Sequence, residues 1–120
     1  MLRLLYNFIL FLLYIPYIIL ILLRIYLKKE HKIKFTEKIF FTKVNRPSGF
    51  VFWFHVASIG ELNSIVSLVN YYLKKDNKYN FLITTVTLSS FNQFSKEFGN
   101  NPRVFHQFLP YDLNFFSNNF

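Results

Sequence analysis

The chain has 120 residues, no cysteine, 52% hydrophobic residues and a formal net charge of +8. The lack of thiols excludes disulfide scaffolds, thiolate metal sites and cysteine nucleophiles. So short a chain holds one small core or part of a larger fold, and its basicity raises the choice between an anionic lipid surface and a nucleic acid.

Residues 1–27 read as a membrane-anchor helix. Leu4 to Leu23 form an apolar run broken only by Asn7 and Pro16. Twenty helical residues rise roughly 30 Å, the thickness of a bilayer core. Proline is tolerated in such a helix, with a kink. No small-residue cleavage site follows Leu23, so the segment reads as an uncleaved anchor rather than a signal peptide. The lysines that follow favour the cytoplasm for the rest of the chain, against Arg3. Spanning and single-leaflet placement both fit the sequence.

Residues 28–49 form a basic juxtamembrane segment and linker. Lys28, Lys29, Lys32, Lys34, Lys38, Lys43 and Arg46 stand against Glu30 and Glu37, a net of +5. Basic charge beside a membrane helix suits anionic lipid better than a nucleic-acid groove, so no nucleic-acid partner is expected. Asn45, Pro47, Ser48 and Gly49 mark a turn.

Residues 50–120 alternate between strand and helix patterns. Phe50 to Ala57 is a near-continuous apolar run, which suits a strand buried on both faces of a parallel sheet. Ser58-Ile59-Gly60 reads as a tight turn. From Glu61, a helical spacing runs through Leu62, Ile65, Val66, Val69 and Leu73, with Lys74, Lys75 and Lys78 at the negative pole of the helix. Phe81 to Val86 is a second strand. Leu88 to Phe98 is a second helix, closed by Gly99. Val104 to Leu109 is a third strand, and Leu113 onward begins another helix. The fold class is α/β: an anchor helix followed by the front of a Rossmann-like parallel sheet. Three strands and two helices leave sheet edge and face open, so a fragment or N-terminal portion of a larger protein is expected.

In open α/β sheets, ligands bind beyond the carboxyl ends of the strands. Ser58-Ile59-Gly60-Glu61 sits there. Gly60 lets a ligand approach the backbone, and the helix N-terminus favours negative charge at Glu61. A carboxylate in a cleft can take a proton from a substrate hydroxyl. Glu is also common in a first helical turn for the dipole alone. Thr84, Thr85 and Thr87 end the second strand, where they bind a sugar or phosphate or simply reflect strand propensity. Asp112 follows the third strand and orients a ligand or caps a helix. His55 reads as a satisfied core histidine. His31 and His106 have no partner at metal spacing, and no P-loop or GxGxxG occurs, so no metal site is expected.

Together these residues form recognisable motifs. The string from Trp53 to Glu61, WFHVASIGE, resembles the H-x-x-S-x-G-E signature of 3-deoxy-D-manno-octulosonic acid (Kdo) transferases. Thr84-Thr85-Val86-Thr87 resembles the family's TTxTxTG strand end, and Leu109-Pro110-Tyr111-Asp112 its LPYD element. The opening LLYNFILFLLYIP resembles its N-terminal anchor. Two departures stand out: Ser90 takes the place of the family's glycine, and Thr36-Glu37-Lys38 the place of its GER. Lysine keeps the charge of that arginine but not its bidentate fork.

The resemblance implies the N-terminal half of a GT-B glycosyltransferase, incomplete here. It implies transfer of Kdo from CMP-Kdo to a lipid A precursor in lipopolysaccharide synthesis, at the cytoplasmic face of a bacterial inner membrane. Glu61 is then the general base. Ser58, Gly60, Lys38, Thr85, Thr87 and Asp112 are the acceptor-binding residues. No cofactor is implied beyond the donor substrate, which a C-terminal domain would bind, so the 120-residue chain alone is expected to be inactive. The alternative is a non-catalytic membrane-anchored binding or assembly module that keeps the partial fold.

Overall fold

The computed structural model describes residues 1–40, 45 and 47–110. The helix start expected after Leu113 lies outside them. The chain divides into two compact units, an N-terminal one that carries the apolar helix and a second over Val44–Leu109.

In the first unit, α1 runs Leu2–Tyr26 with Pro16 inside it. It is long and apolar enough to cross a membrane by length and composition. The basic segment then turns sharply. The His31 Nδ1 accepts the backbone N–H groups of Ile33 and Lys34 at 3.2 and 3.0 Å. A short helix, α2, follows at Thr36–Ile39. Two polar contacts fasten it back onto α1. The Tyr14 hydroxyl donates to the Ile39 carbonyl at 2.6 Å. The Glu30 side chain, 1% exposed, accepts from Arg24 Nε at 2.8 Å and from Lys38 Nζ at 2.7 Å. Buried charge is tolerated only when paired in this way.

The second unit is a parallel sheet with two helices. Its strands are β1 (Phe50–Val56), β2 (Tyr79–Thr85) and β3 (Val104–Phe108), in the order β1-β2-β3. Parallel neighbours require crossovers, which here are α3 (Ile59–Lys75) and α4 (Leu88–Phe98). Gln93 Nε2 of α4 donates to Asn63 Oδ1 of α3 at 3.2 Å. The core lies between these helices and one face of the sheet. Val56, Phe81, Ile83 and Val104 supply the sheet side; Leu62, Val69 and Leu73 of α3 and Phe94 and Phe98 of α4 supply the other. The expected period of five apolar positions on α3 is present, with Ile65 and Val66 partly buried against the same core.

One detail corrects the sequence reading and two sharpen it, since Gly99 does cap α4 and Lys74 and Lys75 do lie in the last turn of α3. First, β1 is not buried on both faces: Phe50 and Trp53 remain 69% and 56% exposed. It is the end strand of the described sheet, and an apolar run cannot say which neighbours are present. Second, Gly99 caps α4 with right-handed backbone at φ −57°, its N–H donating to the Ser95 carbonyl, so it closes the helix without a left-handed turn. The left-handed glycine is Gly49, at φ +97° just before β1. Third, the cation that hydrogen-bonds the end of α3 is Arg103, which donates to the Leu73 and Asp76 carbonyls. That bond ties α3 to the start of β3 and meets carbonyls that the helix end leaves without partners.

Ile83 is fully buried at the centre of β2. Ile83→Ala is expected to lower the stability of the second unit by about 2–5 kcal/mol through lost transfer energy and a cavity. Trp53 is the single tryptophan, so urea unfolding followed by its fluorescence reads this unit; a loss below about 1 kcal/mol would contradict the core position.

Candidate functional site

The strand register sets the site. Val56 pairs with Thr85, and Thr85 with Phe108, so the three strands end level. The backbone N–H of Leu109 donates to the Thr85 carbonyl at 3.0 Å and extends that edge by one residue. Both crossover helices start from this same edge, which is the side where open parallel sheets bind ligands.

α3 begins earlier than the sequence suggested. Ser58 is its N-cap, in extended backbone at φ −133° and ψ 162°, so Ile59 and Gly60 are the first helical residues rather than a turn. The Ser58 Oγ accepts the Glu61 N–H at 3.2 Å. In return, Glu61 Oε2 accepts the Ala57 N–H at 2.7 Å. This is a capping box with its return bond displaced by one residue, to the amide just ahead of the cap. The Ser-x-x-Glu spacing announces such a box, a signal the turn reading overlooked. Glu61 Oε1 holds no hydrogen bond among the described residues, and the side chain is exposed. Gly60 is open as well: a Cβ there would meet only Ser58 Oγ, at 3.9 Å.

α4 starts in the same manner. Thr87 is its N-cap and accepts the Ser90 N–H at 3.2 Å. The Thr87 and Ser90 hydroxyls also pair at 2.8 Å. Ser90, which stands where the resembling motif has glycine, is fully buried and has its hydroxyl satisfied by Thr87. The departure from the motif is therefore accommodated inside the cap.

The threonines of β2 point to opposite faces, as strand period requires. Thr85 is fully buried, and its hydroxyl pairs with His106 Nε2 at 2.9 Å. The rings of Phe91, Phe94 and Phe108 surround that imidazole at 4.7–5.0 Å. Thr84, also fully buried, is a hub on the other face. Its Oγ1 meets Trp53 Nε1 and His55 Nδ1, each at 3.0 Å. His55 is thus satisfied, as expected, but it lies exposed on the end strand rather than in the core. Neither hub was visible in composition; both follow from strand register.

The other expected site residues fall elsewhere. Lys38 belongs to the N-terminal unit, 4% exposed and paired with Glu30. Burial holds its ammonium below the usual lysine pKa, while the hydrogen bond and charge of Glu30 act in the opposite sense. Asp112 lies outside the described residues. Among those described, no cluster of three His, Asp or Glu side chains could hold a metal ion. The structure therefore gathers Ser58, Gly60, Glu61, Thr85 and Thr87 at one sheet edge.

Comparison with known proteins gives the same family the motifs resemble. The family model described as 3-Deoxy-D-manno-octulosonic-acid transferase (kdotransferase) matches residues 30–120. The chain is 33% identical over 109 residues to the 3-deoxy-D-manno-octulosonic acid transferase of Rickettsia bellii, covering 90% of this chain and 25% of that protein. It is 29% identical over 83 residues to the probable mitochondrial 3-deoxy-D-manno-octulosonic acid transferase of Arabidopsis thaliana, covering 69% of this chain and 18% of that one. The chain thus spans a quarter or less of these curated relatives. No solved structure matches.

Removing the cap tests the geometry. Ser58→Ala is expected to destabilise the second unit by about 1 kcal/mol. Because Ser58 and Glu61 act as one device, Ser58→Ala and Glu61→Ala should combine non-additively in urea unfolding. Strict additivity would show that the two side chains hold the turn independently.

Proposed function

The chain belongs to the 3-deoxy-D-manno-octulosonic-acid transferase family, and on that premise we propose that it forms the acceptor-binding N-terminal part of a GT-B glycosyltransferase. In this reading the enzyme transfers Kdo from CMP-Kdo to a lipid A precursor in lipopolysaccharide synthesis. It works at the cytoplasmic face of a bacterial inner membrane. The CMP-Kdo site falls in sequence outside these 120 residues, and this polypeptide alone does not turn over.

One observation carries the reading: a carboxylate stands at the sheet edge with one oxygen committed and the other unengaged among the described residues. Oε2 is held by the Ala57 N–H, which fixes the side chain. Oε1 is left to accept a proton from the acceptor hydroxyl. The hydroxyl oxygen then attacks the anomeric carbon of Kdo, a glycosidic bond forms, and the bond to CMP breaks with its electron pair on the phosphate. A general base of this kind contributes about 10²–10⁴-fold.

The remaining assignments follow position. Ser58 and the open Gly60 line the acceptor side of the same helix start. Thr85 and Thr87 shape its floor through their bonds to His106 and Ser90. Lys38 and Asp112 are assigned to the acceptor by their motif positions, Lys38 through a phosphate charge near its ion pair. An apolar helix long enough to cross a membrane, with a basic segment after it, supports a membrane location for the enzyme in this reading.

Glu61→Gln in the full-length enzyme separates fold from chemistry, because glutamine also serves in a capping box. Stability should stay close to wild type while kcat for Kdo transfer falls about 10²–10⁴-fold. Near-normal turnover would refute the general-base assignment.

A further inference from the structure

We propose that His55 is a further substrate-contacting residue, whose Nε2 accepts a hydrogen bond from a hydroxyl of the acceptor's sugar beside the exposed indole of Trp53. The inference rests on the acceptor-binding reading above. It adds a contact on the face of the sheet turned away from α3 and α4.

Trp53 and His55 stand two residues apart on β1 and so share one face of the strand. The opposite face carries Val56, which packs into the core with Phe81 and Ile83. His55 is the next-to-last residue of β1, at the carboxyl edge where open sheets take ligands. Both side chains are exposed, Trp53 by 56%. Both are nevertheless held in place. Trp53 Nε1 and His55 Nδ1 each meet Oγ1 of Thr84 at 3.0 Å, and Thr84 is fully buried.

Counting donors assigns the imidazole. A threonine hydroxyl has one proton and two lone pairs. Thr84 Oγ1 also reaches the Phe54 carbonyl at 3.4 Å, which can only accept. The Trp53 indole N–H can only donate. The assignment that meets all three contacts gives the hydroxyl proton to Phe54 and leaves a lone pair for an N–H at His55 Nδ1. The neutral ring then carries its own lone pair on Nε2. Nε2 has no hydrogen bond among the described residues. An oriented acceptor beside a locked aromatic ring matches a pyranose, which has a C–H face and a rim of hydroxyl groups. The indole meets the face, and Nε2 meets a rim hydroxyl. Aromatic side chains with a few placed polar atoms are the common makeup of small-molecule sites. Holding both rings by one buried hydroxyl lowers the ordering cost of binding.

Two amides separate the two ring nitrogens. Asparagine reaches the Nδ1 position and keeps the Thr84 bond, whereas glutamine extends to the Nε2 position. In the full-length enzyme, His55→Asn should raise KM for the lipid A precursor about tenfold, the weight of one hydrogen bond. Its kcat, its KM for CMP-Kdo and its urea midpoint should stay as in the wild type, and His55→Gln should recover most of the loss. An unchanged acceptor KM in His55→Asn would overturn the proposal. A rise in KM for CMP-Kdo alone would put the donor's sugar at His55, and a fall in the urea midpoint with no change in KM would leave only a structural role; either overturns it. A second measurement needs no turnover, because Trp53 is the single tryptophan of the 120-residue chain. Its emission should shift on adding the lipid A precursor but not on adding phosphatidylglycerol, and His55→Asn should need about tenfold more precursor for the same shift. No shift in the wild type, or equal shifts with both lipids, would overturn the sugar contact. Should Glu61→Gln turn over normally while the emission shift persists, the general base would fall and the His55 contact would stand.

Discussion

The site depends on how a parallel sheet orders its helices. Every strand in such a sheet ends at the same edge, and every crossover helix starts there. The helix starts bring N–H groups that lack partners within the helix. Something must meet them, and in this chain Ser58 and Thr87 do. Once those caps are in place, the first turns of α3 and α4 are fixed, and with them the position of Glu61. The level register of Val56, Thr85 and Phe108 keeps the edge flat enough for both starts to open on one side. The site is thus a consequence of the sheet rather than an addition to it.

Burial explains the division of labour among the threonines. Thr85 and Thr84 are both fully buried, yet each has a defined polar partner. A buried hydroxyl without one would cost roughly 1–3 kcal/mol. His106 and the Trp53–His55 pair therefore stabilise β2 at the point where its face changes from core to polar. The same logic governs the N-terminal unit, where the buried Glu30 carboxylate is paired with partly exposed Arg24 and with buried Lys38. In each case one buried side chain holds polar partners, 21 to 31 residues away for the threonines and six to eight residues away for Glu30.

What could be read from the sequence follows the range of the interaction involved. α4 was legible at both ends, Leu88–Phe98, because its apolar spacing and Gly99 are local signals. The alternation of strands and helices was legible for the same reason. The start of α3 was misplaced by two residues because Gly60 suggests a turn, while the Ser58-x-x-Glu61 spacing that overrides it is a subtler mark. The exposure of β1 and of His55 was not legible, since an apolar run is the same whether or not a neighbour covers it. The Arg24–Glu30–Lys38 cluster and the Thr85–His106 pair were invisible as well. Long side chains meeting across a fold leave no period in the sequence. Of the expected site residues, Ser58, Gly60, Glu61 and Thr87 were named from their place after a strand and from motif resemblance, while the capping bonds that hold them went unread. The grouping of Thr85 with His106 needed the register of β2 and β3.

The capping role of Glu61 also bears on why this position carries a carboxylate. A glutamine carbonyl would accept the Ala57 N–H as well as Oε2 does, so the cap alone does not call for an acid. The helix pole favours negative charge by about 0.3–1 kcal/mol at an exposed site, which is a modest reason. A second oxygen that is held in place yet has no hydrogen bond among the described residues is a stronger one. Pinning one oxygen restricts the side chain at no loss to the other, so in the proposed role the carboxylate would meet an incoming hydroxyl without first being ordered. In this arrangement the structural bond and the proposed proton acceptor share one side chain, and the cap itself supplies the preorganisation that the chemistry requires.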